Sequence, residues 1–493
     1  MADLTELFES GIPGLDGILQ GGIPQNQMYG IYGTSGSGKT TLSLQFLLEG
    51  AKKGERCLYI CTSETEFEIK RIARSHGWSL EGVQINHIST HVGEKSGPGQ
   101  TMLYPVEIEL PQIVEKLINL INEYDPQRVV IDSLSEIRLL AREKSWYQRQ
   151  LMMLKNFLEP RSCTAFLTDT VGEENTVLKT IVHGVIEMSR TEPLYGPERR
   201  RIRIEKMRGH SFISGYHDYK IVKGGIQVFP RLISSKFVRK FKQETITSGI
   251  AEFDQLLGGG IERGTCTLLQ GAAGTGKSAL ASQFALAAAL RNERTIVFCF
   301  DERISTFTQR ARSLGMEIDT CINDGRIIVK QIDPAELTAG EFSDIVAKTV
   351  VDNDISLLVI DSLNGYSYAL TDEHFLSVHI HELSSFLSIQ GVATFLTMSH
   401  YTGFGLSVAE PSFEVSYVSD TVVNLGYFEY RGQVHKALSV AKKRYGDHER
   451  TIREMYMDSN GVHVGPVLRD FEGIGTGNPR FVGSSLTKDN EKS

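Results

Sequence analysis

Two lysines, Lys39 and Lys277, each stand between a glycine-rich run and a small hydroxyl residue, in GTSGSGKT (33–40) and GAAGTGKS (271–278). Both runs satisfy the pattern G-x-x-x-x-G-K-[ST] in full. The chemistry that needs these residue types in this order is phosphate binding. Glycines (Gly33, Gly36 and Gly38; Gly271, Gly274 and Gly276) let backbone N–H groups close around phosphate oxygens. The lysine then reaches the β and γ oxygens of a nucleoside triphosphate, and the hydroxyl of Thr40 or Ser278 ligates Mg²⁺. Ser35, Ser37 and Thr41 complete the first cradle, and Thr275 and Ala279 the second. A glycine-rich turn without a ligand is the plainer reading. Two full matches in matching contexts argue against it.

Carboxylates follow at matching places. VVIDS and LLVIDS each end an apolar run on an aspartate, Asp132 and Asp361. A carboxylate at the open end of a parallel strand can hold the water shell of Mg²⁺, although a strand-end aspartate also caps turns. Hydrolysis needs in addition a base or a water-orienting group beside the γ-phosphate. LYICTSETEF offers Glu64 there, and IVFCFDERIS offers Asp301 and Glu302. Asp301 joins Thr40 and Ser278 as a candidate metal ligand. The plainer reading of these acids is solvated helix-start carboxylates, which are favoured at that position anyway.

These residues need strands to end where they stand. Each loop lies between a strand-like run (QMYGIY in the first) and a helix-like one (TLSLQFLLEG). LPQIVEKLINLINEYDP carries Ile113, Leu117, Leu120, Ile121 and Tyr124 on one helical face and stops at Asp-Pro. RVVIDSL is then continuously apolar, as a parallel strand covered on both faces must be. Helix followed by buried strand, repeated, predicts a mostly parallel α/β sheet flanked by helices.

The whole pattern is written twice. ESGIPGLDGILQGGIP (9–24) returns as TSGIAEFDQLLGGGIE (247–262), with Gly249 standing 238 residues after Gly11 and Gly271 238 after Gly33. Asp361 stands 229 after Asp132, so loops differ in length between the copies. A period this long means two domains rather than a solenoid. The polar stretch ISSKFVRKFKQETI separates them, giving expected domains 1–243 and 244–475 and a tail, 476–493, too polar to pack into a core.

Composition narrows the function classes. Of 493 residues, 41% are hydrophobic and 23% charged, as in a soluble globular protein. The net charge of −8 does not advertise a nucleic-acid backbone as partner. MADLTELFES has no basic-then-apolar signature and no run reaches a bilayer-spanning length, so a cytoplasmic protein without a membrane partner is expected. The six cysteines contain no C-x-x-C pair and sit in apolar runs, which predicts buried reduced thiols.

With these pieces in place the chain resembles the KaiC family, two-domain RecA-type ATPases and autokinases of bacterial clock and clock-like systems. The resemblance rests on SGIPGLDGILQGGIP, both phosphate loops, ARSHGW with Ser75, IEKMRGHS, SDTVVNLGYFEYRGQ and AKKRYGDHERTIREM, and it covers nearly the whole chain. It implies two tandem RecA-like P-loop domains in a hexameric double ring, with ATP between neighbouring subunits. The first domain would hydrolyse ATP and the second phosphorylate its own side chains. Lys206, Met207 and Arg208 resemble the segment that reaches a neighbour's ATP in the first ring, and Lys442, Lys443 and Arg444 its counterpart in the second. Arg208 and Arg444 would act in trans on charge developing at the γ-phosphate. A KaiB-like protein and a signalling histidine kinase are implied as partners. The short tail, Gly475 to Ser493, carries no obvious long extension for a KaiA-type activator.

Two departures matter. Where the family has adjacent glutamates, this chain reads Ser63-Glu64 in the first half and Asp301-Glu302 in the second, which bears on the first domain's ATPase rate. Where family kinases carry adjacent Ser and Thr, it reads Ser416-Tyr417, within VSYVSD. Locally, that stretch reads as an edge strand. By the resemblance Ser416 is the phosphoacceptor, and Tyr417 a second one only in a shifted geometry, because its hydroxyl extends past that of threonine. The first half has Lys179-Thr180 there, followed by His183 where the second has Asp420. Two other functions compete. A RecA-like DNA-binding recombination motor would show basic channel loops and a zinc ribbon in front, and neither a four-cysteine ribbon nor a net basic charge is present. A nucleotide-binding scaffold without useful turnover would show phosphate release at background.

Overall fold

The computed structural model describes residues 6–88, 106–141, 143–170, 176–192, 197–233, 239–367, 374–399, 415–474 and 479–482. The chain forms two compact units, 1–231 and 232–493. Leu232, the first residue of the second unit, packs on that unit's core.

In the first unit, nine strands are β1 (Met28–Gly33), β2 (Cys57–Cys61), β3 (Val83–His87), β4 (Arg128–Asp132), β5 (Thr164–Asp169), β6 (Gly184–Thr191), β7 (Arg199–Met207), β8 (His217–Val222) and β9 (Gly225–Phe229). They line up as β9-β8-β7-β6-β1-β5-β4-β2-β3. The run from β6 to β3 is parallel, and β7, β8 and β9 continue it antiparallel. The second unit repeats the design with β10 (Cys266–Gly271), β11 (Arg294–Cys299), β12 (Ile327–Gln331), β13 (Ile355–Asp361), β14 (Ala393–Ser399), β15 (Thr421–Tyr430), β16 (Gln433–Lys443), β17 (Arg453–Asp458) and β18 (Gly461–Val467). Its order is β12-β11-β13-β14-β10-β15-β16-β17-β18, strand for strand the same. The expected pair of mostly parallel α/β sheets is what the chain adopts.

Both faces of each sheet are covered, which explains the unbroken apolar strands. In the second unit Leu269, Val297 and Val359 join the core on one face, and Leu268, Ile296 and Leu358 the core on the other, the period of two that a pleated strand imposes. Burying each such side chain contributes about 1.5–3 kcal/mol. Helix α1 (Lys39–Lys52) follows β1, and α2 (Glu66–Ser75) follows β2. Helix α3 (Val106–Tyr124) carries the predicted face, with Ile113, Leu117 and Ile121 buried, and begins ahead of Pro111. All six cysteines are free and buried, as expected. Among the described residues no helix is long and apolar enough to cross a membrane.

One local expectation fails. Residues 415–420 form a turn leading into β15, not an edge strand. The Val418 N–H donates to the Val415 carbonyl at 3.1 Å, and the buried Ser419 hydroxyl donates to the same carbonyl at 3.3 Å. A serine hydroxyl thus takes the place a ladder partner would have filled.

Candidate phosphate-binding sites at the carboxyl edges

Parallel strands gather their carboxyl ends along one edge, and both glycine loops sit on such an edge. The first loop leaves β1 and ends where α1 starts at Lys39; the second leaves β10 and ends where α4 (Lys277–Leu290) starts. Gly36 and Gly38 have φ of 74° and 94°, and Gly274 and Gly276 of 78° and 110°, in the left-handed region that side chains avoid. Lys39 Nζ donates to the carbonyls of Gly33 at 2.8 Å and Thr34 at 3.2 Å. Lys277 Nζ donates to those of Gly271 at 2.9 Å and Ala272 at 2.8 Å. Burial lowers the pKa of both lysines, opposed by Asp132, Asp169 and Glu64 around Lys39 and by Asp361 near Lys277.

The cradle fits a phosphate and a hard cation in the first unit. The buried Ser37 hydroxyl has no hydrogen-bond partner among the described residues. The Thr40 hydroxyl donates to Asp132 Oδ2 at 2.8 Å, which puts two oxygen donors of the kind Mg²⁺ selects side by side. In the second unit no hydrogen bond joins the Ser278 hydroxyl to Asp361 among the described residues; the two stand at the same places in the fold. Thr41 and Ala279 are in the buried first turns of α1 and α4, and Thr275 is buried in its loop. Ser35 is exposed in its loop. Ser75 ends α2, where its hydroxyl donates to the Ile72 carbonyl at 2.7 Å.

Around the strand-end aspartates the halves diverge. Asp132 also accepts from the hydroxyls of Tyr59 and Thr168, each at 2.5 Å. Asp361 keeps the second donor, Thr397 at 2.5 Å, but position 297, in register with Tyr59, is Val297. Both aspartates precede a cis peptide bond, to Ser133 and Ser362. At the end of β5 the buried Asp169 accepts from Ser135 at 2.9 Å and pairs with Arg138 at 3.2 Å, while Met398 stands at the matching place in β14. Burial raises the Asp169 pKa, with Arg138 opposing. The sequence reading missed Tyr59, Thr168, Thr397 and Asp169. The signal for Thr168, Thr397 and Asp169, a polar residue in an otherwise apolar strand, was visible; Tyr59 gave none.

The water-orienting candidates differ more. Among the described residues Glu64 makes no hydrogen bond, and burial, then the charges of Asp132 and Glu68, raise its pKa. In the second unit Asp301 accepts from the Ser362 hydroxyl. Glu302 Oε1 is held by Arg310 Nη2 at 2.5 Å.

The remaining predicted residues lie at the other end of the sheets. β6 runs parallel to β1 with Gly184 opposite Tyr29, and Met207 of β7 pairs with Gly184. Lys206, Met207 and Arg208 therefore lie about 13 Å of strand away from their own loop. Lys206 Nζ donates to the Lys179 carbonyl at 2.6 Å and Arg208 Nη2 to that of Thr180 at 3.2 Å. In the second unit Lys443 pairs with Thr421, beside Thr267 at the start of β10. Lys442 Nζ donates to the carbonyls of Ser416 at 2.9 Å and Ser419 at 2.7 Å, and Lys443 Nζ to that of Leu257 at 2.6 Å. Arg444 bonds Asp420 at 3.1 Å and the Tyr417 carbonyl at 3.4 Å. Ser416 is partly buried and Tyr417 half exposed on this edge.

Comparison with known proteins agrees with this doubled arrangement. A family profile described as "ATPase: KaiC" matches residues 8–233 and again 246–469. The circadian clock protein KaiC3 of Synechocystis sp. is 28% identical over 98% of this chain and 96% of its own length. The circadian clock oscillator protein KaiC of Parathermosynechococcus lividus is 27% identical over 97% of this chain and 90% of its own. That of a Nostoc species is 26% identical, over 97% and 92%.

Proposed function

The chain belongs to the KaiC family of ATPases, and on that premise we propose a Mg²⁺-dependent ATPase and serine autokinase that works as a hexameric double ring, a timing or stress-response switch in the cytoplasm. ATP lies on each glycine loop, with Lys39 or Lys277 on its β- and γ-phosphates. Thr40 in the first half, and Ser278 with Asp301 in the second, would hold the metal, with Asp132 and Asp361 holding its water shell. Bound Mg²⁺ would neutralise charge on the phosphates.

In the first half Glu64 orients water for hydrolysis. In the second, Ser416 Oγ forms the new bond to the γ-phosphorus of a neighbouring subunit's ATP. The β–γ bridging P–O bond breaks, ADP leaves, and the serine proton passes to the Asp301–Glu302 pair. Lys206 to Arg208 and Lys442 to Arg444 serve the neighbour's nucleotide, with Arg208 and Arg444 facing the developing charge. The observation that carries this reading is the placement of Ser416 and both basic segments on the sheet edge away from their own loops. A site that needs both edges needs two copies of the chain. A KaiB-like protein and a signalling histidine kinase are the proposed partners, to be sought by co-purification.

The test is phosphosite mapping by mass spectrometry after incubation with Mg-ATP. Phosphate on Ser416 is the expected result, with Tyr417 unmodified. Phosphate nowhere in 412–421 while ATP is still hydrolysed would reduce the protein to an ATPase switch.

A further inference from the structure

Glu302 and Glu64 stand at matching places beyond β11 and β2, and one difference in their surroundings is a cation. Helix α5 (Ile304–Ser313) carries Arg310 beside Glu302, and α2 carries Ile72 at the corresponding position. The Arg310–Glu302 pair is half-buried at 2.5 Å. The guanidinium is packed near the Phe307 ring, 5.4 Å from its centre, and Arg310 Nε is buried with no partner among the described residues, so the arginine's one acceptor there is Glu302. Such a group is costly to place without a purpose, because a buried unpaired N–H loses its water contacts.

Resting on the reading above, we propose that Arg310 is a positioning residue that commits one oxygen of Glu302 and thereby suppresses attack by water at the second glycine loop, leaving the γ-phosphoryl for the serine. The argument turns on who positions the nucleophile. A serine is held by its own backbone and needs from a carboxylate only somewhere to put a proton. A water molecule has no backbone and must be aimed by its acceptors, so an oxygen already taken by a guanidinium costs water attack more than serine attack. In the first half Ile72 leaves Glu64 able to aim water.

The experiment uses full-length protein with the first loop silenced by Lys39→Ala. Phosphate release and phosphate incorporated at 412–421 are followed in parallel, as kcat and KM for ATP. Arg310→Ile is expected to raise kcat for release about five-fold, with KM changed by less than about two-fold and the incorporated share reduced. Arg310→Lys, which keeps a cation, should restore the starting partition. The converse change, Ile72→Arg with Lys277→Ala, should slow release from the first half. Release above that of the Lys39→Ala, Lys277→Ala protein but unmoved or lowered by Arg310→Ile overturns the inference alone. Release at that double-variant background with and without Arg310 also overturns the inference alone if phosphate is still incorporated at 412–421; release and incorporation both at background overturn the proposed function of the second half as well.

Discussion

The two halves share strand order, loop geometry and the place of each strand-end aspartate, yet the polar groups around those aspartates are almost opposite. In the first, Asp132 sits among three hydroxyls and Glu64 stays unbonded among the described residues. In the second, Asp361 keeps one of those hydroxyls, and both carboxylates beyond β11, Asp301 and Glu302, are tied, to Ser362 and Arg310. The backbone frame is fixed by apolar packing that tolerates little change. The chemistry is set by side chains at register-matched positions that packing leaves open. A duplicated fold can therefore hold one nucleotide-binding frame and diversify what each copy does with the nucleotide.

The strongest way to break this comparison is at Arg128, the first half's buried cation, whose counterpart in register is Leu357. Arg128 is fully buried. Its guanidinium bonds Glu55 at 2.5 Å and the carbonyls of Glu9 at 3.0 Å and Phe46 at 2.8 Å, and lies 4.2 Å from the Phe8 ring centre. Arg128→Leu, which copies the second half, strands Glu55 and two carbonyls. We expect a loss of about 3–5 kcal/mol confined to the first unit. Hydrogen exchange read by mass spectrometry should show strands β2 and β4 losing protection while β11 and β13 keep theirs. Equal losses in both units, or none, would mean that the stability of the first half does not depend on this cation.

How much of this could be read from the sequence follows from what each feature depends on. The glycine loops, Asp132 and Asp361 are contiguous motifs, and unbroken apolar runs such as RVVIDSL announce a sheet covered on both faces. Local patterns carry these fully. Glu302's partner is a residue one strand end and two helical turns later, and Arg310 looks like any solvated helix arginine until the helix packs. Tyr59 reads as a strand-favouring aromatic; that its hydroxyl meets Asp132 depends on β2 pairing with β4 at one register. VSYVSD misleads for the reverse reason. Its alternation suits a strand, but the Ser419 hydroxyl bonds the local backbone instead.

A smaller test sharpens the hydroxyl contrast. Tyr59→Phe removes a buried donor to Asp132 and leaves the ring in place, moving the first half toward the second, where Val297 offers no hydroxyl. Burial holds the Tyr59 hydroxyl far above its ordinary pKa, with the nearby Asp132 adding to the shift, so it is a donor at any working pH. Losing it should cost about 1.5–3 kcal/mol, the range for a hydrogen bond to a charged acceptor, seen as a lower urea midpoint for the first unit only. An unchanged midpoint would show that Thr40 and Thr168 suffice to hold Asp132.

The smallest expected effect is one of pH, and it separates the halves at a single register position. His183 Nδ1 accepts from the Met28 N–H at 3.1 Å, and in the second half a carboxylate oxygen of Asp420 accepts from the Cys266 N–H at 3.0 Å. Burial, then the charges of Lys155, Arg208 and Lys206, lower the His183 pKa, with Glu159 opposing. The folded chain therefore prefers the neutral ring, and a proton on Nδ1 would turn an acceptor against an N–H. On acidification the unfolded chain takes up its proton first, near its ordinary value of about 6.5. The contribution is thus complete above that value and is lost as pH falls toward the lowered folded value. Between about pH 7.5 and about pH 5.5, hydrogen exchange in β1 and β6 should become less protected relative to a variant in which the acceptor does not titrate. His183→Asn supplies that variant, because its amide oxygen can accept the same N–H without taking a proton. If wild type and His183→Asn lose protection equally across this range, the histidine is not the source of the acid sensitivity, and the two halves do not differ in pH response at this position.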